Sequence, residues 1–232
     1  MHIFVDSITG EEIIINGADV AHLQVRRQKA GQFFKIIETS GNSYVDAELI
    51  LLSKNQATFK VKTVFEKKQS KTKITLFQSV IKKSNMELVV QKAVELGVDS
   101  VVPVMTERVS ELGAINYTRL ALIAKEAAMQ SERYSVPSIE KAISFSEAIV
   151  IPNIFCLGER VKGNGILEFM NKIVPSDNLG VLVGPEGGFS GRELSFLQEK
   201  MVPVVSFGES IMRAETAAIA ALSVIRSFYL AE

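Results

Sequence analysis

Two short stretches of this sequence carry residue types that bring bare backbone against a small molecule. The first is Gly184-Pro185-Glu186-Gly187-Gly188, directly after the apolar run 179–183. The second is Phe207-Gly208 with Ile211-Met212-Arg213-Ala214-Glu215, starting at the end of the apolar run 202–207. Glycine has no Cβ, so its N–H and C=O can approach a ligand closely or make a tight turn. Charge limits what that ligand can be. Glu186 would repel a polyphosphate, the glycines do not fall in G-x-G-x-x-G spacing, and no lysine follows them as in a Walker loop. Nucleoside triphosphates and dinucleotides are disfavoured, and the loop composition alone fits a plain strand terminator as well as a ligand loop. Two other groups could meet an anion or a base. Arg26, Arg27 and Lys29 follow His22 in one basic stretch suited to phosphate. Glu126, Gln130 and Arg133 recur at four- and three-residue spacing, which puts a carboxylate, an amide and a cation on one helix face. His22, with no metal partner nearby, reads as a half-buried histidine on an apolar strand edge or as part of the basic stretch.

These residues need a scaffold of strand ends, and the patterning supplies one. The run 179–183 predicts a buried strand, and Ser190 with Glu193 predicts a capping box opening the next helix. From residue 73 onward strands and helices alternate: a strand over 74–80, a helix capped by Ser84 and Glu87 and stopped at Gly97, a strand over 100–105, and a helix over 116–134. Further strands near 139, 154–157, 179–183 and 202–207 complete a mostly parallel sheet with helices on both faces, an α/β domain over 73–232. On such a sheet ligands sit at the carboxyl ends of the strands, where both glycine loops fall.

Residues 1–70 are different. Short alternating segments at 3–5, 12–15, 33–37, 44–50 and 58–65, separated by Gly10, Gly17, Gly31 and Gly41, predict a small β-barrel. The linker is 66–73, with Lys67, Lys68, Lys71 and Lys73, a lysine set that reads most simply as solvated. Net neutrality hides an asymmetry. Of 26 basic and 26 acidic residues, 11 and 8 lie in residues 1–73, leaving 15 and 18 in the remainder. With 47% hydrophobic residues the chain can bury a sizeable core, and no apolar run approaches a membrane span. A cytoplasmic protein is expected. One cysteine and two histidines make an internal disulfide impossible and a metal site unexpected.

Gly184-Pro185-Glu186-Gly187-Gly188-Phe189-Ser190 followed by Ile211-Met212-Arg213-Ala214-Glu215-Thr216-Ala217 resembles the paired signatures of the bacterial 16S ribosomal RNA (uracil-N3)-methyltransferases, within the SPOUT methyltransferase superfamily. Gln91-Lys92-Ala93-Val94-Glu95-Leu96-Gly97-Val98 with Val102-Pro103, and Glu126-Ala127-Ala128-Met129-Gln130-Ser131-Glu132-Arg133 with Val136-Pro137, fit the same family, so the resemblance spans nearly the whole chain. It implies a trefoil-knotted, mostly parallel sheet domain preceded by a PUA-like β-barrel that helps to hold ribosomal RNA, and a homodimer built through the small residues of the last helix. It also implies S-adenosylmethionine as cofactor, held by Leu157, Gly158, Gly184, Pro185, Glu186, Gly187, Gly188, Phe207, Gly208, Ile211 and Met212. A family-typical Leu-Gly is Phe207-Gly208 here, and a typical Ile-Leu-Arg is Ile211-Met212-Arg213; both keep an apolar wall. Arg213 is the expected stabiliser of charge on the target uracil, with Glu215 orienting it or taking the N3 proton. Glu186 either faces the ligand or shapes its own turn. Arg26, Arg27, Lys29, Glu126, Gln130 and Arg133 are the expected RNA contacts. A non-catalytic RNA-binding or ribosome-assembly factor on the same fold is the alternative.

Overall fold

A computed structural model describes residues 2–39, 41–67, 72–109, 115–159, 164–173 and 178–229. The chain divides into two compact units, Met1–Gln69 with Ala128–Val136, and Ser70–Ala127 with Pro137–Glu232.

The first unit is a curled sheet. Strands β1 (His2–Val5), β2 (Glu12–Asn16), β3 (Phe33–Glu38), β4 (Ser43–Leu52) and β5 (Gln56–Glu66) pair in the order β1-β3-β4-β5-β2. β1 runs parallel to β3 and the other pairs are antiparallel. Period-two alternation decides which face is buried: Ile13 and Ile15 point inward while Glu12, Ile14 and Asn16 are exposed. Ile3, Phe34, Ile36, Val45, Leu49 and Phe59 complete that core. Register shifts at Asp46/Ala47 and Leu49/Leu51 in the long β4–β5 pair bend the sheet around it. Of the small β-barrel expected from the sequence, the described residues form a curled half-barrel, with β1 and β2 at the two ends of the pairing order.

Helix α1 (Ala18–Val25) packs Val20 and Leu23 into the same core. It sits where the sequence suggests a strand edge, because eight residues with only Val20 and Leu23 buried are too few for a periodic signal. His22 lies on its exposed side, and Arg27, at φ 54, turns the chain out of the helix. Segment 128–136 belongs to this unit through aromatic packing. His2 Nδ1 lies 2.8 Å from the Arg133 carbonyl oxygen, and the Tyr134 ring meets His2 at 4.8 Å and Tyr44 at 4.7 Å. Tyr44 in turn stacks on Phe65. Of the linker lysines, Lys67 is not loose: its Nζ donates to the carbonyls of Glu38 and Gly41. Lys73 begins the next strand, and Lys68 and Lys71 lie outside the described residues.

The second unit is built on a wholly parallel sheet of β6 (Lys73–Ser79), β7 (Ser100–Met105), β8 (Ser138–Ile139), β9 (Ile143–Ser144), β10 (Ile154–Leu157), β11 (Asn178–Val183) and β12 (Val204–Val205). The order is β12-β10-β11-β6-β7-β8, with β9 also alongside β7. The helices are α2 (Lys83–Glu95), α3 (Tyr117–Gln130), α4 (Phe145–Ala148), α5 (Ile166–Lys172), α6 (Gly191–Glu199) and α7 (Ala214–Tyr229). Strand alternation sends Phe77, Val104, Cys156 and Leu182 to one face, where they meet Phe145 and Ala148 of α4 and Leu197 of α6. The opposite face is covered by α5, whose Phe169 packs on Phe155, and by α7, which buries Ala214, Ala218, Ala221, Leu222 and Ile225. Both faces are therefore closed to water, as near-continuous apolar strands require.

Local signals hold unevenly. The Ser190–Glu193 capping box forms as expected, and Gly97, at φ 91, ends α2 with the Val98 N–H reaching the Ala93 carbonyl. The predicted Ser84–Glu87 box does not form. α2 begins earlier, at Lys83, and Glu87 lies 3.5 Å from Arg119 instead. The strand expected over 202–207 is only Val204–Val205, since β12 is an edge strand pairing with β10 alone.

Candidate active site

The carboxyl ends of three neighbouring strands, Leu157 of β10, Val183 of β11 and Val205 of β12, open into one cleft of about 470 Å³. Parallel strands align their ends, so loops remote in sequence become adjacent there. Gly158 and Glu159 come from the first loop, 184–189 from the second, and 206–208 with 210–212 from the third. All eleven residues assigned from sequence to a cofactor line it: Leu157, Gly158, Gly184, Pro185, Glu186, Gly187, Gly188, Phe207, Gly208, Ile211 and Met212.

The middle loop is held from several sides. Gly188 takes φ 67, and its N–H bonds the Pro185 carbonyl at 2.9 Å, closing a turn that a Cβ would strain. A side chain at Gly184 would meet the Phe189 ring at 3.0 Å. Glu186, whose role the sequence leaves open between ligand and turn, accepts a hydrogen bond of 3.0 Å from the backbone N–H of Lys82, at the start of α2. Its carboxylate thus joins the β11 loop to the β6 loop while also lining the cleft. Glu193, only 4% exposed, does the corresponding work toward β7: one oxygen accepts from Ser190 N at 2.8 Å, the other from Glu107 N at 2.9 Å. Behind the cleft wall, burial first and the Glu193 carboxylate second push the Cys156 thiol far above the ordinary thiol range.

Arg108 is absent from the residues that the sequence singles out. It follows the end of β7, its Nη1 donates to the Gly187 carbonyl at 2.9 Å, and it lines the cleft. The signal is present in principle, since Thr106-Glu107-Arg108 follows an apolar strand as the glycine loops do, but it lacks glycine. Arg213 and Glu215 sit differently from the cofactor set. Arg213 is exposed between the lining residues Met212 and Ala214 and is not itself part of the wall. Glu215, in the first turn of α7, is half-buried, and its Oε2 is buried with no hydrogen-bond partner among the described residues.

The expected RNA contacts fall into two groups. Arg26, Arg27 and Lys29 are exposed together where α1 ends, a position that favours cations. Glu126 and Gln130 are exposed on α3, but Arg133 is not on their face. The helix ends at Gln130, Glu132 adopts φ 55, and Arg133 is half-buried beyond it with its N–H bonded to the Ala128 carbonyl. No helix among the described residues is long and apolar enough to cross a membrane.

The RNA methyltransferase domain family matches residues 68–226. Over 97% of this chain, the sequence is 30% identical to the Ribosomal RNA small subunit methyltransferase E of Rickettsia conorii, covering 94% of that protein. It is 32% identical to the protein of the same name from Aquifex aeolicus, over 98% of this chain and 100% of the relative. Among solved structures, the Ribosomal RNA small subunit methyltransferase E of Neisseria gonorrhoeae bound to S-adenosyl methionine superposes with a TM-score of 0.86 at 26% identity, over 98% of this chain and 97% of that one.

Proposed function

The chain belongs to the RNA methyltransferase family, and on that premise we propose that it transfers a methyl group from S-adenosylmethionine to N3 of one uridine in 16S ribosomal RNA of the small subunit. The observation that carries the reading is the cleft at the ends of β10, β11 and β12, glycine-walled and bounded by Glu159 and Glu186. Two carboxylates and an apolar wall suit a cationic sulfonium and oppose a polyphosphate. Backbone at Gly158 and Gly208 lines the cleft and is available to the polar edge of an adenine, while Leu157, Phe207, Ile211 and Met212 give its faces apolar cover. When bound, the cofactor supplies an electrophilic methyl on a positively charged sulfur. What remains for the chain is to align the base, exclude water and stabilise charge.

Within this reading Arg213, exposed at the cleft edge, meets the uridine as RNA arrives, and Glu215 positions it. Arg26, Arg27 and Lys29 of the first unit, taken as a PUA-like RNA-binding domain, hold phosphates, and Glu126, Gln130 and Arg133 add RNA contacts. The second unit is taken, from the family resemblance, as the knotted SPOUT domain. A cytoplasmic homodimer completes the reading, supported by the half-exposed Ile219, Ala220, Val224 and Phe228 of α7. Light scattering tests it, with a mass twice that of one chain expected.

The deciding experiment is transfer of labelled methyl from S-adenosylmethionine to small ribosomal subunits lacking N3-methyluridine, followed by nucleoside mass spectrometry. Label in N3-methyluridine is the expected result. Cofactor binding without transfer would move the target to another RNA, and neither binding nor transfer would leave a non-catalytic RNA-binding factor.

A further inference from the structure

We propose that Arg108 is the catalytic residue that takes up the negative charge forming on the target base, a role that rests on the methyl-transfer reading above. Uracil N3 is an imide N–H between two carbonyls. For it to attack, the N3–H bond must break, the proton passing to solvent or a base. The freed electron pair then forms the N3–CH3 bond while the C–S pair returns to sulfur, leaving a neutral thioether. Between those events negative charge is spread over N3 and the two flanking oxygens.

The cleft as built is hostile to such an anion. Glu159 and Glu186 line it, and like charge disfavours ionisation of a neighbouring acid. Among the described residues of its wall the one cation is Arg108. Although exposed, it is drawn to the wall by the glycine loop. A Cβ at Gly187 would lie 3.6 Å from the Arg108 Cβ and 3.7 Å from its Cδ, so the arginine stem runs along bare glycine backbone. The Gly187 carbonyl then holds Nη1 at 2.9 Å, and the neighbouring Glu107 N–H is pinned by Glu193. A guanidinium carries five N–H donors in a rigid plane, so one bond to the loop leaves donors for the carbonyl oxygens of the base. A donor already held beside developing charge needs less reorganisation during reaction, which is where such groups contribute most.

The test compares wild type, Arg108→Ala and Arg108→Lys on small ribosomal subunits reconstituted from transcripts made with uridine or with 5-fluorouridine, whose N3 proton is more acidic. On uridine subunits Arg108→Ala is expected to lose about 10²–10³-fold in single-turnover transfer, with Arg108→Lys in between. Affinity for S-adenosylhomocysteine, by calorimetry, stays near wild type. The 5-fluoro substitution restores more rate to Arg108→Ala than to wild type, and the variant's rate keeps climbing with pH where the wild-type rate has levelled. A loss of S-adenosylhomocysteine affinity matching the rate loss would overturn the proposal, making Arg108 a cofactor or loop-holding residue. So would a defect indifferent to fluorine and pH. Absence of N3-methyluridine with wild-type protein would instead refute the underlying methyl-transfer reading.

Discussion

A thiol sealed from solvent cannot attack anything, and Cys156 is such a thiol: buried on β10 beside Leu157 of the cleft, with its ionisation pushed out of reach. Native protein should therefore resist iodoacetamide for as long as it stays folded, and label rapidly once denatured; prompt native labelling would show that the sheet opens at β10. Arg213 is the opposite case, an exposed guanidinium beside a cleft it does not line. Arg213→Ala is expected to abolish turnover while calorimetry finds cofactor affinity within a few fold, and full activity in that variant would remove Arg213 from the mechanism. At this scale the glycine loops are legible as strand ends, and each cofactor candidate that the resemblance implies falls on the cleft wall. Arg108 is not, because an arginine after a strand looks like any solvated cation until the strand's neighbours are known. Arg133 is misplaced by its spacing for a related reason: spacing assumes that a helix continues, and Glu132 at φ 55 ends that assumption.

Elements are most legible where side-chain and backbone signals agree. Ser190 and Glu193 form their box, yet nothing in the spacing announces that Glu193 also holds the Glu107 N–H across the sheet. Both carboxylate oxygens accept from backbone N–H groups, so Glu193→Gln must turn an NH2 toward a donor. That exchange should lower stability by about 2 kcal/mol, or roughly 4–8 °C in Tm for a chain of this length, measured by thermal denaturation. A change much smaller than this would mean that the β7 and β11 loops are held elsewhere. The Ser84–Glu87 motif is the instructive failure. The same residue types stand at the same spacing, but α2 already begins at Lys83, preceded by the cap residue Lys82 with its N–H bonded to Glu186. A tertiary carboxylate displaces the local cap. Helix α1 escapes sequence reading, and β12 is read too long, because each is too brief for periodicity to define.

For the whole molecule, the telling sequence feature is charge divided between regions rather than its zero sum. If Arg26, Arg27 and Lys29 hold phosphates, replacing all three with Ala should flatten log K against log salt by roughly 2–3 units of slope, at about 0.7–0.9 for each phosphate no longer neutralised. Filter binding to a fragment of 16S ribosomal RNA across a salt series measures it, and an unchanged slope would place the RNA on another face. The parallel sheet and its cleft are legible from alternating patterns, whereas the half-barrel's open ends are not, because closure depends on curvature that no strand encodes alone. Segment 128–136 is also invisible in that role. It completes the first unit by setting Tyr134 against His2 and Tyr44, although much of the second unit's sequence comes between. During synthesis, then, the N-terminal unit cannot finish when its own strands have emerged. Tyr44 and His2 wait for their missing partner until residue 136 has left the ribosome, by which time β6, α2 and β7 have already been made. The order of translation and the order of folding are interleaved here, and a fragment ending near residue 70 would leave that aromatic surface uncovered.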